Sequence, residues 1–148
     1  TLSAVIQEES GLLVQWVPSG VFGLKFTSNG KKSVLAAVSS ANQTIQVAPF
    51  ITLPEKCALT DTVAYCGIFR SIPDGATFPD DYYMEKLIVP EDIVAWNVST
   101  GELRTLFSGA EPVLVDGGII QVGSPTIREN ALVFINRYDK KLYEVKVK

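Results

Sequence analysis

This sequence predicts an all-β fold of short antiparallel meanders, and three observations carry that prediction. Val and Ile together outnumber Leu and Met two to one. β-branched side chains lose rotamer freedom in helices and pack well on pleated surfaces. Apolar and polar residues also alternate with period 2, the mark of a half-buried strand. In residues 92–98, Ile93 and Ala95 face one side and Val94, Trp96 and Val98 the other. In residues 141–148, Tyr143, Val145 and Val147 share a face. Finally, 11 Gly and 8 Pro break the chain at short intervals and leave little room for a long helix.

The elements follow in order. Asn29-Gly30 separates residues 21–27 from 33–38, and both residues tolerate the positive φ of a type I′ hairpin. Residues 44–50 continue that meander. Cys57 and Cys66 flank an eight-residue stretch centred on Asp61-Thr62. A two-residue loop there places the cysteines opposite each other in a non-hydrogen-bonded pair, with Cα atoms about 4.5 Å apart. That spacing permits a cross-strand disulfide, which implies an oxidising, extracytoplasmic compartment. The alternative is two buried thiols in a reducing one. Ser99-Thr100-Gly101-Glu102 separates residues 93–98 from 103–107. Asp116-Gly117-Gly118 precedes a strand at 119–122, and residues 124–130 hold one short helical turn at most. Residues 137–140 separate strands at 131–136 and 141–147.

Composition excludes several function classes. A chain of 148 residues is one domain, and a net charge of −3 offers no basic face for nucleic acid. No apolar run approaches the ~20 residues of a membrane span. The chain has no His, which removes Ser-His-Asp and Cys-His catalysis and His-ligated zinc. Two cysteines alone cannot close a tetrahedral metal site, so neither cofactor nor metal is expected. Thr1 in place of Met fits a processed chain or a fragment.

The hairpins recur in three blade-like units, at about residues 21–53, 54–109 and 110–148. The run from Asp92 through Trp96 to Ser99-Thr100-Gly101-Glu102 resembles the inner part of WD-repeat-like or TolB-like β-propeller blades. Residues 53–57, 65–75, 78–83 and 132–137, with Leu142-Tyr143, resemble the C-terminal blades of surface-anchored propeller proteins of candidate-phylum (Patescibacteria-type) bacteria. The resemblance spans about residues 21–148. It implies a propeller and an extracytoplasmic location, and it supplies no catalytic residues. Closed propellers have at least about four blades. With three units, either residues 1–7 or 12–16 supply the missing strand, or the chain is a fragment of a larger propeller, or copies complete one another. A two-sheet β-sandwich is the competing fold.

The longest stretch without strand pattern, residues 71–90, holds Asp74, Asp80, Asp81, Tyr82, Tyr83 and Glu85. Loops on rigid scaffolds often carry function, so these residues form the candidate binding loop for a protein or glycan. The competing reading is a solvated loop whose tyrosines pack on a blade edge. Adjacent Asp80 and Asp81 do not make the separated carboxylate pair of a glycosidase. Glu91-Asp92 reads as an edge charge that discourages aggregation. Trp16 and Trp96 read as core. The sequence thus points to a non-enzymatic extracytoplasmic binding domain. The second reading is a self-assembling homo-oligomeric surface subunit with strands paired between chains.

Overall fold

The computed structural model describes residues 1–6, 8–110 and 118–148. They form three antiparallel meanders. Sheet 1 is β1 (Leu13–Trp16), β2 (Gly23–Ser28), β3 (Ser33–Val38) and β4 (Thr44–Val47). Sheet 2 is β5 (Cys57–Leu59), β6 (Val63–Phe69), β7 (Glu91–Asn97) and β8 (Leu103–Phe107). Sheet 3 is β9 (Val122–Arg128), β10 (Ala131–Asn136) and β11 (Leu142–Lys146). Each strand pairs with its sequence neighbour within its sheet. A 3-10 turn at Pro54–Lys56 and a single helical turn, α1 (Asp80–Tyr83), complete the regular structure.

Sheet 2 lies between the other two. Leu24, Phe26, Leu35 and Ala37 of sheet 1 share a core with Ala64, Cys66, Val94 and Trp96. The opposite face of sheet 2 places Ala58 and Ile93 against Val122, Leu132, Phe134 and Val147. The period-2 reading of residues 92–98 and 141–148 is therefore realised: each strand divides its side chains between two faces.

Sheets 1 and 2 stack in the same sense. Ser19 Oγ in the β1–β2 turn donates to Asp61 Oδ1 in the β5–β6 turn, at 2.6 Å. At the other end of the stack, Ser28 Oγ donates to the Phe78 carbonyl in the insertion after β6, at 3.0 Å. Sheet 3 keeps the same sense. Glu91 opens β7 and bonds Val122, the register partner of Asn136 at the end of β10. Arg104, opposite Ala95 late in β7, donates to the Val147 carbonyl, whose own N–H bonds Asn130 just before β10. Strand β10 thus runs against β7 and with β6, and the first hairpin turn of each sheet lies at the same end of the stack.

Several local expectations are corrected. Ser28 pairs with Ser33 and Asn29 with Lys32, so Gly30-Lys31 form the turn and only Gly30 has positive φ. Asn29 instead closes the loop through Oδ1, which accepts from the N–H groups of Lys31 and Lys32. Residues 124–128, expected to hold at most a helical turn, belong to β9. There the β-branched Val122, Thr126 and Ile127 outweigh Pro125 at an edge position. The only described helix falls instead in the 71–90 insertion. Strand β1 pairs with β2, and residues 1–6 form no strand, so no strand from 1–20 closes onto the last unit. Asp116 and Gly117 of the expected turn lie outside the described residues. Trp96 is fully buried, but Trp16 is 37% exposed and lays its ring over Gly23, its cross-strand partner.

Candidate binding groove

The 71–90 insertion is anchored by its own apolar side chains. Phe78 is buried and meets Phe26 and Phe69 edge-on. Tyr82, Leu87 and Val89 are buried in the same core. Gln121 Nε2 ties the returning chain by donating to the carbonyls of Leu87 and Val89, at 3.1 and 3.2 Å.

The candidate loop residues fall at different places on this scaffold. Asp74 is exposed in a turn closed by Ala76 N–H to Pro73 carbonyl. Asp80 is exposed, whereas Asp81 Oδ2 accepts from the Thr77 N–H at 2.8 Å. Glu85 is exposed with φ of 57°. Among the described residues, no three acidic or cysteine side chains gather around a possible metal position. Tyr82 points inward and is 4% exposed, while Tyr83 is 48% exposed. Their rings meet edge-on at 5.5 Å.

Beneath Tyr82 lies a group that the sequence reading did not identify. Lys56 Nζ sits 2.8 Å from Glu91 Oε1, and both side chains are wholly buried. Lys56 also donates to the Val122 carbonyl, and Glu91 Oε2 accepts the Val122 N–H at 2.8 Å. The pair therefore clamps the first residue of β9 to sheet 2. Burial pushes Lys56 below and Glu91 above its ordinary range, against the mutual attraction that favours both charges. Glu91 is thus no edge charge: β7 is flanked by β6 and β8. A period-2 pattern assigns faces but not partners, so a lysine next to a cysteine gave no signal.

Above Tyr82 sits Arg137, its guanidinium carbon 4.0 Å from the ring centroid. Lys56 Nζ lies 5.0 Å from the same centroid. Burial pushes the Tyr82 phenol above its ordinary range, although Arg137 pulls the other way. Burial likewise pushes Tyr83 up to about 12, helped by the negative Glu55 and a hydrogen bond to it. Both phenols are neutral at physiological pH.

These side chains frame a groove between the insertion and the β10–β11 hairpin. One part, about 340 Å³, is lined by Glu55, Tyr82, Tyr83, Ser124, Arg137 and Lys140. The adjoining part, about 290 Å³, shares Arg137 and Lys140 and adds Glu85, Gln121 and Tyr138. The structure therefore brings Tyr82, Tyr83 and Glu85 to the groove, and leaves Asp74, Asp80 and Asp81 off its lining.

Cys57 and Cys66 face each other in register and are disulfide-bonded, with Cα atoms 4.1 Å apart. No described helix is long and apolar enough to cross a membrane. No protein-family model, curated protein or solved structure matches this chain.

Proposed function

We propose that this chain is a non-enzymatic extracytoplasmic binding domain of β-propeller type. In this reading, the three sheets are successive blade-like units. The observation that carries it is the groove, in which a pinned insertion and a second hairpin present aromatic and charged side chains on a rigid frame. The same-sense stacking of sheets 1 and 2 supports the blade reading. The Cys57–Cys66 bridge is compatible with an oxidising compartment.

The second reading is a self-assembling cell-surface subunit. Sheet edges favour it: Ile45 and Val47 on β4 are 41% and 54% exposed, and Leu142 on β11 is 69% exposed. Light scattering over a range of concentrations separates the two readings. A constant mass of 16.1 kDa supports the binding domain. A mass that grows with concentration moves strand pairing between chains to the front.

A further inference from the structure

We propose that the groove binds an acidic saccharide, one carrying a uronate-type carboxylate. The inference rests on the binding reading above and names the ligand class for that same groove.

Arg137 is the centre of the argument. Its guanidinium is stacked over a buried tyrosine ring at 4.0 Å, and its backbone N–H is fixed to the Gln121 carbonyl at 2.9 Å. The planar fork is thus held in place before any ligand arrives. Among the described residues, its one carboxylate contact is Glu85, at 3.9 Å, with a side chain 74% exposed. That is too long for the paired hydrogen bonds a guanidinium makes with a well-placed carboxylate. A preorganised fork with its carboxylate partner held off is suited to a carboxylate from outside. Lys140, on the same hairpin, lines both parts of the groove and adds a second cation.

The rest of the lining fits a sugar better than an acidic peptide. Tyr83 offers a half-exposed ring on which a pyranose can stack. Glu55, Glu85 and Ser124 supply acceptors for hydroxyl groups. A peptide with successive carboxylates would be repelled by Glu55 and Glu85. A saccharide with one carboxylate per ring meets those acids with hydroxyls. The two volumes, about 340 and 290 Å³ and sharing Arg137 and Lys140, are together the size of a small-ligand site.

The test is an NMR titration of the whole chain with trigalacturonate, neutral cellotriose and hexaglutamate in parallel. Trigalacturonate is expected to shift the resonances of Tyr83, Arg137 and Lys140. Arg137→Ala should weaken its binding about tenfold or more, the size of one charge-assisted contact. Arg137→Lys should recover only part of that loss, because the fork is gone. Lys140→Gly, which leaves the Tyr82 stack untouched, should weaken binding severalfold. Equal shifts from cellotriose with no effect of Arg137→Ala would overturn the acidic class and leave the groove standing as a binding site. Shifts from hexaglutamate alone would overturn the saccharide in favour of a peptide. No groove shift from any of the three would overturn the inference, while the light-scattering result would still judge the binding domain against self-assembly.

Discussion

Lys56 Nζ and Glu91 Oε1 lie 2.8 Å apart with neither side chain exposed, and both partners also bond the backbone of Val122. The pair joins the 3-10 turn, sheet 2 and sheet 3 at one point. Removing one member strands a buried charge. Lys56→Met or Glu91→Leu alone should therefore cost about 3–5 kcal/mol in urea unfolding. The double variant should cost clearly less than the sum, since no lone charge remains. Additive losses in the double-mutant cycle would show that the two side chains are not coupled.

The Cys57–Cys66 bridge closes a short loop, with a sequence separation of 9. Chain-entropy reasoning gives a loop of that size about 2–3 kcal/mol of stabilisation. Reductant, or Cys57→Ala with Cys66→Ala, should lower unfolding stability by that amount without changing the far-ultraviolet circular dichroism. The β5–β6 pairing is retained by its backbone bonds and by the packing of Ala64 against sheet 1. Loss of all structure on reduction would mean that the bridge holds the fold on its own.

Gly67 sits where the clamp is tightest. A Cβ there would lie 2.6 Å from Val122 Cγ2 and 2.7 Å from Glu91 Oε2. Neither neighbour can withdraw, because Val122 is buried and Glu91 is held by two partners. Gly67→Ala should destabilise by about 2 kcal/mol or more, the upper part of the usual overpacking range. Gly75, with open space around it, lacks any such contact. A Gly67→Ala loss below about 0.5 kcal/mol, the ordinary surface-substitution range, would show that sheet 3 can shift away from sheet 2.

The fold class was legible because strand periodicity and β-branched composition are local properties. The Cys57–Cys66 register was legible for the same reason, since a short hairpin fixes its pairs by counting. The packing of sheet 3 on sheet 2 was not. It depends on which faces meet, and Ile93 and Leu132 look alike in a sequence whether their strands run together or opposed. At the groove, Tyr82, Tyr83 and Glu85 stood out in a loop without strand pattern. Arg137 and Lys140 looked like turn residues, and only the packing of the hairpin against the insertion makes them neighbours of Tyr82. Lys56 was hidden because nothing local distinguishes a lysine that will be buried from one that will be solvated.

Asp139 gives a pH dependence with a definite sign. Desolvation works to raise its pKa, but hydrogen bonds from the Lys141 N–H and the Tyr143 hydroxyl, with the Lys141 charge, hold it below its ordinary 3.8. A depressed carboxylate pKa stabilises the folded state above the unfolded value, and that stability is lost as pH falls through the folded one. Wild type should therefore be more stable than Asp139→Asn at neutral pH. The difference should shrink below pH 3.8 and vanish once Asp139 is protonated in both states. Melting curves of the two proteins from pH 2 to 7 check this, and a constant gap would remove the carboxylate from the account.

Lys140 occupies a left-handed position, with φ of 62°. In sheet 2 the equivalent place, four residues after Asn97, is filled by Gly101 with φ of 78°. The hairpins match in detail: Lys140 N–H bonds the Asn136 carbonyl as Gly101 N–H bonds that of Asn97, both at 2.8 Å. A side chain in this region costs about 1–2 kcal/mol that glycine does not. Glycine also returns part of that gain as extra entropy in the unfolded chain. Lys140→Gly should therefore raise stability by up to about 1 kcal/mol, while weakening trigalacturonate binding. A lysine kept at a strained turn position that glycine would fill more stably is the pattern of a residue retained for its charge. If Lys140→Gly lowers stability and leaves binding unchanged, the lysine is there to hold the hairpin and not to meet a ligand.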